Sequence, residues 1–81
     1  MIRDSINADR GIVVLGMGYV GLTLSVAMAD SGFRVFGVDI NPEVVEALRG
    51  GRPHIFEPGL EELLPRLIRS GRLTVCHDRA P

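Results

Sequence analysis

Three glycines at fixed spacing constrain this chain more than any other feature. Gly16-Met17-Gly18-Tyr19-Val20-Gly21 sits between a short apolar stretch and a helical pattern. Before it, Gly11-Ile12-Val13-Val14-Leu15 is apolar throughout, as expected of a strand buried on both faces of a parallel sheet. After it, Tyr19 to Ser31 follows helical spacing. Val20, Leu24, Ala27 and Met28 at i, i+4, i+7 and i+8 predict the buried face, and Gly32 stands where a left-handed cap stops the helix.

The rest of the chain repeats this alternation. Phe33 to Val38 is a second short apolar strand that closes at Asp39. Asn41 is a good N-cap and Pro42 suits the first helical position; Val44, Val45 and Leu48 form the apolar stripe that follows, ended by Gly50-Gly51. A loop runs from Arg52 to Phe56. Glu57 is expected to cap a third helix, with Pro58 in its first turn and Leu60, Leu63, Leu64, Leu67 and Ile68 on one face. Pro65 lies inside that pattern and lacks the N–H that would bond residue 61, which predicts a kink or a split helix. Gly71 ends the element, and Leu73 to Cys76 reads as a third strand. The fold class is α/β, a partial Rossmann-like doubly wound fold with three parallel strands in the order β-α-β-α-α-β and right-handed crossovers. Residues 1–10 are polar and mixed in charge and read as a flexible leader. Residues 11–81 read as the N-terminal portion of a dinucleotide-binding domain, incomplete because a parallel sheet needs both faces covered.

The glycine pattern alone is weak in a chain with 10 glycines among 81 residues. Its context gives it meaning: it follows a strand, opens a helix, and an acid closes the next strand. Gly16 allows the tight turn, Gly18 lets backbone approach a pyrophosphate, and Gly21 lets helix pack on strand. The N–H groups of Tyr19, Val20 and Gly21, with the helix dipole, attract phosphate anions. The bland alternative is a glycine-rich turn without a ligand. Asp39 lies 18 residues after Gly21, near the spacing of a ribose-binding acid. Its carboxylate can accept from both adenosine ribose hydroxyls and would repel a 2′-phosphate, which favours NAD over NADP. Its own bland alternative is a strand-end turn residue ahead of Asn41-Pro42.

Composition closes several other routes. The net charge of −1 carries no electrostatic footprint for nucleic acid or an anionic membrane, and no apolar run is long enough to span a bilayer. A cytoplasmic setting is the default. One cysteine excludes an internal disulfide and a cysteine-based structural zinc site; no metal site is expected. All nine basic residues are arginine, so no lysine base or Schiff base can come from this chain. Arg66, Arg69, Arg72 and Arg79 read as a solvated helix face and turn.

At these residues a family becomes recognisable. Gly16-Met17-Gly18-Tyr19-Val20-Gly21-Leu22 with Gly37-Val38-Asp39-Ile40-Asn41-Pro42 resembles the UDP-glucose/GDP-mannose dehydrogenase family. Gly51-Arg52-Pro53-His54-Ile55-Phe56-Glu57-Pro58-Gly59-Leu60 and Ser70-Gly71-Arg72-Leu73 strengthen the likeness, which covers nearly all of residues 11–78. The resemblance implies a NAD-dependent, four-electron oxidation of the C6 hydroxyl of a UDP- or GDP-sugar to a carboxylate. It also implies a homo-oligomeric full-length enzyme and places Tyr19, Val20 and Asp39 at NAD-contacting positions. The family often has a basic residue five positions after the ribose acid; here that position is Val44. His54 before Ile-Phe-Glu-Pro leans toward the N-acetylmannosamine-type members.

The family's catalytic cysteine, lysine and substrate domain lie downstream of the matching region, so no catalytic residue is assigned and no turnover is expected of this chain alone. Cys76 reads as a small, inert, buried thiol in the third strand. His54 and His77 read as loop and strand-end residues. Glu57 has two readings, a helix cap or a residue near the cofactor cleft, and the cap is favoured. A different function class stays open: a non-catalytic, small Rossmann-like nucleotide-binding or interaction module.

Overall fold

In the computed structural model, residues 11–78 are described. The expected leader at 1–10, and Arg79, lie outside them. The elements are β1 (Ile12–Leu15), α1 (Tyr19–Asp30), β2 (Val35–Asp39), α2 (Pro42–Arg49), α3 (Leu60–Ser70) and β3 (Leu73–His77). They form one three-stranded sheet in the order β1-β2-β3. Both pairings are parallel: Ile12 lies opposite Val35 and Leu15 opposite Val38, and Val35 opposite Leu73 and Asp39 opposite His77. This is the α/β, Rossmann-type arrangement expected from the alternation of strands and helices.

The turns are set by glycines and caps. After α1 the N–H of Gly32 bonds Ala29 and that of Phe33 bonds Met28, the two bonds of a Schellman motif, with Gly32 at φ +109°. After α2 the same pair recurs, Gly51 to Leu48 and Arg52 to Ala47, with Gly51 at φ +76°. The Asn41 side chain accepts from the Glu43 N–H at 2.9 Å, and Pro42 follows it as the first residue of α2.

The core lies on one side of the sheet. Leu22, Val26 and Ala29 of α1, Val45 and Leu48 of α2, and Leu60, Leu64 and Leu67 of α3 pack on Val35, Leu73 and Val75. Among the described residues, no helix covers the other face. Strand residues alternate between faces, and Val13 and Leu15 on that face are 61% and 77% exposed. Against the expectation of a strand buried on both faces, β1 is half-buried on the helix side, at Ile12 and Val14, and exposed on the other.

Three local expectations need correction. The buried face of α1 is Leu22, Ser25, Val26 and Ala29; Val20 and Leu24 of the predicted face are exposed. This helix is apolar nearly all round, so periodicity cannot choose its inner face. The choice is made by Gly21, which must face the loop, since a Cβ there would lie 1.8 Å from the Gly16 carbonyl oxygen. Next, α3 is not split at Pro65 but continues through it as one helix. The lost hydrogen bond is offset by the buried Leu60, Leu64 and Leu67 on its inner face and by Pro65 lying against Gly51. Finally, α3 is capped by Gly59 at φ +86° with no side-chain cap, not by Glu57. Pro58 and Gly59 form a turn closed by the Leu60 N–H on the Glu57 carbonyl at 3.1 Å, which places Glu57 outside the helix.

Candidate functional site

The site is assembled at the C-terminal ends of β1 and β2, where ligands of open α/β sheets bind. The Gly16 N–H bonds the Val38 carbonyl at 2.7 Å, which carries the pairing one residue past β1. Gly16 then turns at φ +90°, a conformation that only glycine adopts without strain.

Met17 fastens the turn from both ends. Its N–H donates to Asp39 Oδ2 at 2.7 Å. Its side chain is fully buried, with the sulfur accepting from the Ser25 hydroxyl at 3.5 Å. That seat exists because residue 37 is glycine: a Cβ there would come within 2.5 Å of the Met17 Sδ and Cε. Neither Met17 nor Gly37 was expected to matter to the site. The signal for Gly37 was present in the sequence, a glycine inside a strand, which often marks close approach by another group.

Gly18 is the N-cap of α1, and it has no side-chain cap bond and no acid in the first turn. The first intrahelical bond runs from Leu22 N–H to Gly18 carbonyl, so the N–H groups of Tyr19, Val20 and Gly21 lie ahead of the helical ladder. A Cβ built on Gly16 or Gly18 would meet nothing within 4 Å, whereas one on Gly21 would collide with Gly16 backbone. Gly16 and Gly18 thus border open space, and Gly21 sits at the contact of helix and loop. An uncapped helix start beside open space favours an anion by dipole and by unpaired donors.

Asp39 stands next to this opening, with Oδ1 accepting from the Asn41 N–H at 2.8 Å and Oδ2 from Met17. These donors hold its carboxyl below the usual aspartate range. Met17 contributes most, then Asn41; partial burial opposes them and the charge of His54 assists. An ionised carboxylate has about four acceptor positions, so roughly two remain for other donors. Leu15, Gly16, Val38, Asp39, Ile40 and Asp78 line a groove of about 260 Å³ beside it.

Most of the remaining candidates lie outside the glycine loop, although the charge of His54 reaches Asp39 and His77 lies opposite it in the sheet. Val44 is half-buried and packs against the core. Cys76 lies in β3 opposite Val38 and is only partly buried. His54 is an exposed loop residue, and His77 Nε2 lies 3.0 Å from the Ile40 carbonyl at the end of β3. Arg66, Arg69 and Arg72 are exposed. Among the described residues, no group of three His, Cys, Asp or Glu side chains could hold a metal ion. Tyr19 and Glu57, 38 residues apart, meet through Tyr19 Oη donating to Glu57 Oε2 at 3.1 Å. That bond and the carboxylate charge raise the Tyr19 hydroxyl above the usual phenol range.

Residues 10–80 match the model of the UDP-glucose/GDP-mannose dehydrogenase family, NAD binding domain. The chain belongs to that family. The UDP-N-acetyl-D-mannosamine dehydrogenase of Pyrococcus horikoshii is 41% identical over 64 residues, covering 79% of this chain and 15% of the relative. The UDP-glucose 6-dehydrogenase of Bacillus subtilis is 44% identical over 62 residues, 76% of this chain and 14% of the relative. Among solved structures, the UDP-glucose dehydrogenase of Pyrobaculum islandicum is 57% identical with TM-score 0.75, over 80% of this chain and 15% of that one. The chain therefore spans about one-seventh of the length of such relatives, within the part that holds NAD. The glycine cradle and the adjacent acid fit that cofactor. No helix among the described residues is long and apolar enough to cross a membrane.

Proposed function

We propose that this chain is the NAD-binding segment of a nucleotide-sugar dehydrogenase that oxidises the C6 hydroxyl of a UDP- or GDP-sugar to a carboxylate. Gly16, Gly18, Tyr19, Val20, Gly21 and Asp39 form the cofactor site. The observation that carries this reading is the pairing of an uncapped helix start, bordered by open space at Gly16 and Gly18, with an ionised Asp39 that Met17 ties to the same loop. The N–H groups of Tyr19, Val20 and Gly21 would hold the pyrophosphate, and the free acceptor positions of Asp39 would take the two ribose hydroxyls. The same carboxylate would repel a 2′-phosphate, which selects NAD over NADP. When bound, NAD supplies the acceptor for hydride; this segment supplies binding and orientation.

The sugar-reading and bond-breaking groups belong to the remainder of a longer enzyme. No residue is assigned a catalytic role: no lysine is present, and Cys76 sits within a strand. The exposed sheet face at Val13 and Leu15 supports a unit that works packed against more protein. The full enzyme is proposed as a cytoplasmic homo-oligomer acting on a nucleotide sugar, with neither nucleic acid nor membrane as partner. Relatives of similar identity are named for UDP-N-acetyl-D-mannosamine, UDP-glucose and GDP-mannose, so the sugar is left at the level of its class. Calorimetric titration tests the cofactor assignment: NAD binds and NADP binds more weakly. Oxidation of a UDP- or GDP-sugar by the purified chain would overturn the assignment of catalysis to the remainder.

A further inference from the structure

The contact between Tyr19 and Glu57 joins the start of α1 to the connection between α2 and α3, and neither helix capping nor core packing accounts for it. Tyr19 is the first residue of α1, directly after Gly18, and the residue is 57% exposed. An exposed tyrosine at a helix start ordinarily samples several rotamers. Here its hydroxyl donates to Glu57, which comes from the connection between α2 and α3. Glu57 is itself held in place. Its carbonyl accepts from Leu60, which is buried, and two residues earlier Ile55 packs on the core. A carboxylate on an anchored turn thus reaches a phenol whose own backbone N–H is among the three facing the anion position.

We propose that Glu57 is a positioning residue of the dinucleotide site: by accepting the Tyr19 hydroxyl it holds the ring against the α2–α3 connection and fixes the first turn of α1 for cofactor. This rests on the pyrophosphate reading of the glycine loop. Charge-assisted hydrogen bonds are stronger than neutral ones, and an anchored acceptor lowers the entropy lost when the ring is immobilised around a ligand. The effect is transmitted through Tyr19; Glu57 is given no contact with cofactor.

Tyr19 is the sole tyrosine of the chain and tryptophan is absent, so its ionisation can be followed directly by near-ultraviolet absorbance. The titration is run on the whole chain and on Glu57→Ala, Glu57→Gln and Tyr19→Phe, with circular dichroism to establish folding and calorimetry to read NAD affinity. The expected result is that Tyr19 ionises at lower pH in Glu57→Ala than in the parent. Glu57→Ala and Tyr19→Phe should each weaken NAD binding by about three- to tenfold, the effect of one ordinary hydrogen bond. The double variant should be no weaker than the worse single one, and Glu57→Gln, which keeps a carbonyl acceptor, should recover most of the affinity. An unchanged tyrosine titration in Glu57→Ala overturns the contact. A shifted titration with parental NAD affinity overturns the positioning role. Asp39→Ala separates the two levels. If the parent chain binds NAD and Asp39→Ala does not, while Glu57→Ala binds as the parent does, only the present proposal fails. Absence of NAD binding by the folded parent overturns the site reading and this proposal with it.

Discussion

Replacing Gly21 by alanine tests how the loop and α1 are joined. The new Cβ would lie 1.8 Å from the carbonyl oxygen of Gly16 and 2.9 Å from its carbon. Both are backbone atoms, so no rotamer change relieves the overlap, and α1 has to move off the loop by roughly 1 Å or more. That movement pulls on the Gly16–Val38 and Met17–Asp39 bonds, each 2.7 Å long, and on the fully buried Met17 and Leu22. Overpacking of this kind costs about 1–3 kcal/mol, and weakening a hydrogen bond to a charged group adds up to about 1.5–3 kcal/mol. The expected loss is about 3–5 kcal/mol, a large share of the roughly 5–15 kcal/mol that holds a typical domain. Gly18 is the contrast. Nothing lies within 4 Å of its added Cβ, and its φ of −72° suits any residue. Alanine there costs about 1 kcal/mol or less as an N-cap, yet it occupies the space a phosphate needs. Urea unfolding followed by far-ultraviolet circular dichroism should show Gly21→Ala losing most of its stability and Gly18→Ala keeping most of the parental stability. Calorimetry should show Gly18→Ala losing about tenfold or more in NAD affinity, about 1.4 kcal/mol. Equal destabilisation by the two substitutions, or a Gly21→Ala chain with parental stability, would refute the division of roles.

Three further outcomes follow from the same geometry. Asp39→Ala should weaken NAD binding by about 1–3 kcal/mol through lost charge-assisted hydrogen bonds; equal affinities by calorimetry would remove Asp39 from the site. Because the folded state holds the Asp39 carboxyl below its ordinary range, its stabilisation is fully present above the ordinary aspartate value and is lost as pH falls through the lower folded value. Urea midpoints at neutral and acid pH should therefore fall less steeply in Asp39→Asn than in the parent, and parallel falls would contradict this. Asn41→Ala removes the acceptor for the Glu43 N–H and should cost about 1 kcal/mol by the same unfolding assay; a change near zero would show that water replaces the cap freely.

What could be read from the sequence was what local chemistry decides. Gly32 stops α1 because the chain there must turn left-handed, and Asn41-Pro42 starts α2 because both residues suit a helix entry. The turn at Gly16 and the close contact at Gly21 followed from their spacing relative to a strand and a helix. What escaped was decided by tertiary contact. The inner face of α1 could not be chosen because Val20 and Leu24 are as apolar as Leu22 and Val26, and only the approach of Gly21 to Gly16 orients the helix. Glu57 looked like a cap because an acid before Pro58 suits a helix start, but the Pro58-Gly59 turn moved the start to Leu60 and freed the carboxylate for Tyr19. Pro65 looked like a break because its local penalty is plain, whereas the packing that offsets it is spread over three leucines. The bond from Met17 N–H to Asp39 spans 22 residues and has no local signature. It makes Asp39 a fastener of the glycine loop.

Residues 16–21 and Asp39 are proposed to form one NAD site. The most direct test follows the backbone amide resonances of the isotope-labelled chain during titration with NAD. Saturable shifts are expected at Gly16 through Gly21 and at Asp39, with little change along α3, and weaker effects from NADP. Shifts that spare the glycine loop, or no shifts in a folded chain at saturating NAD, would contradict it.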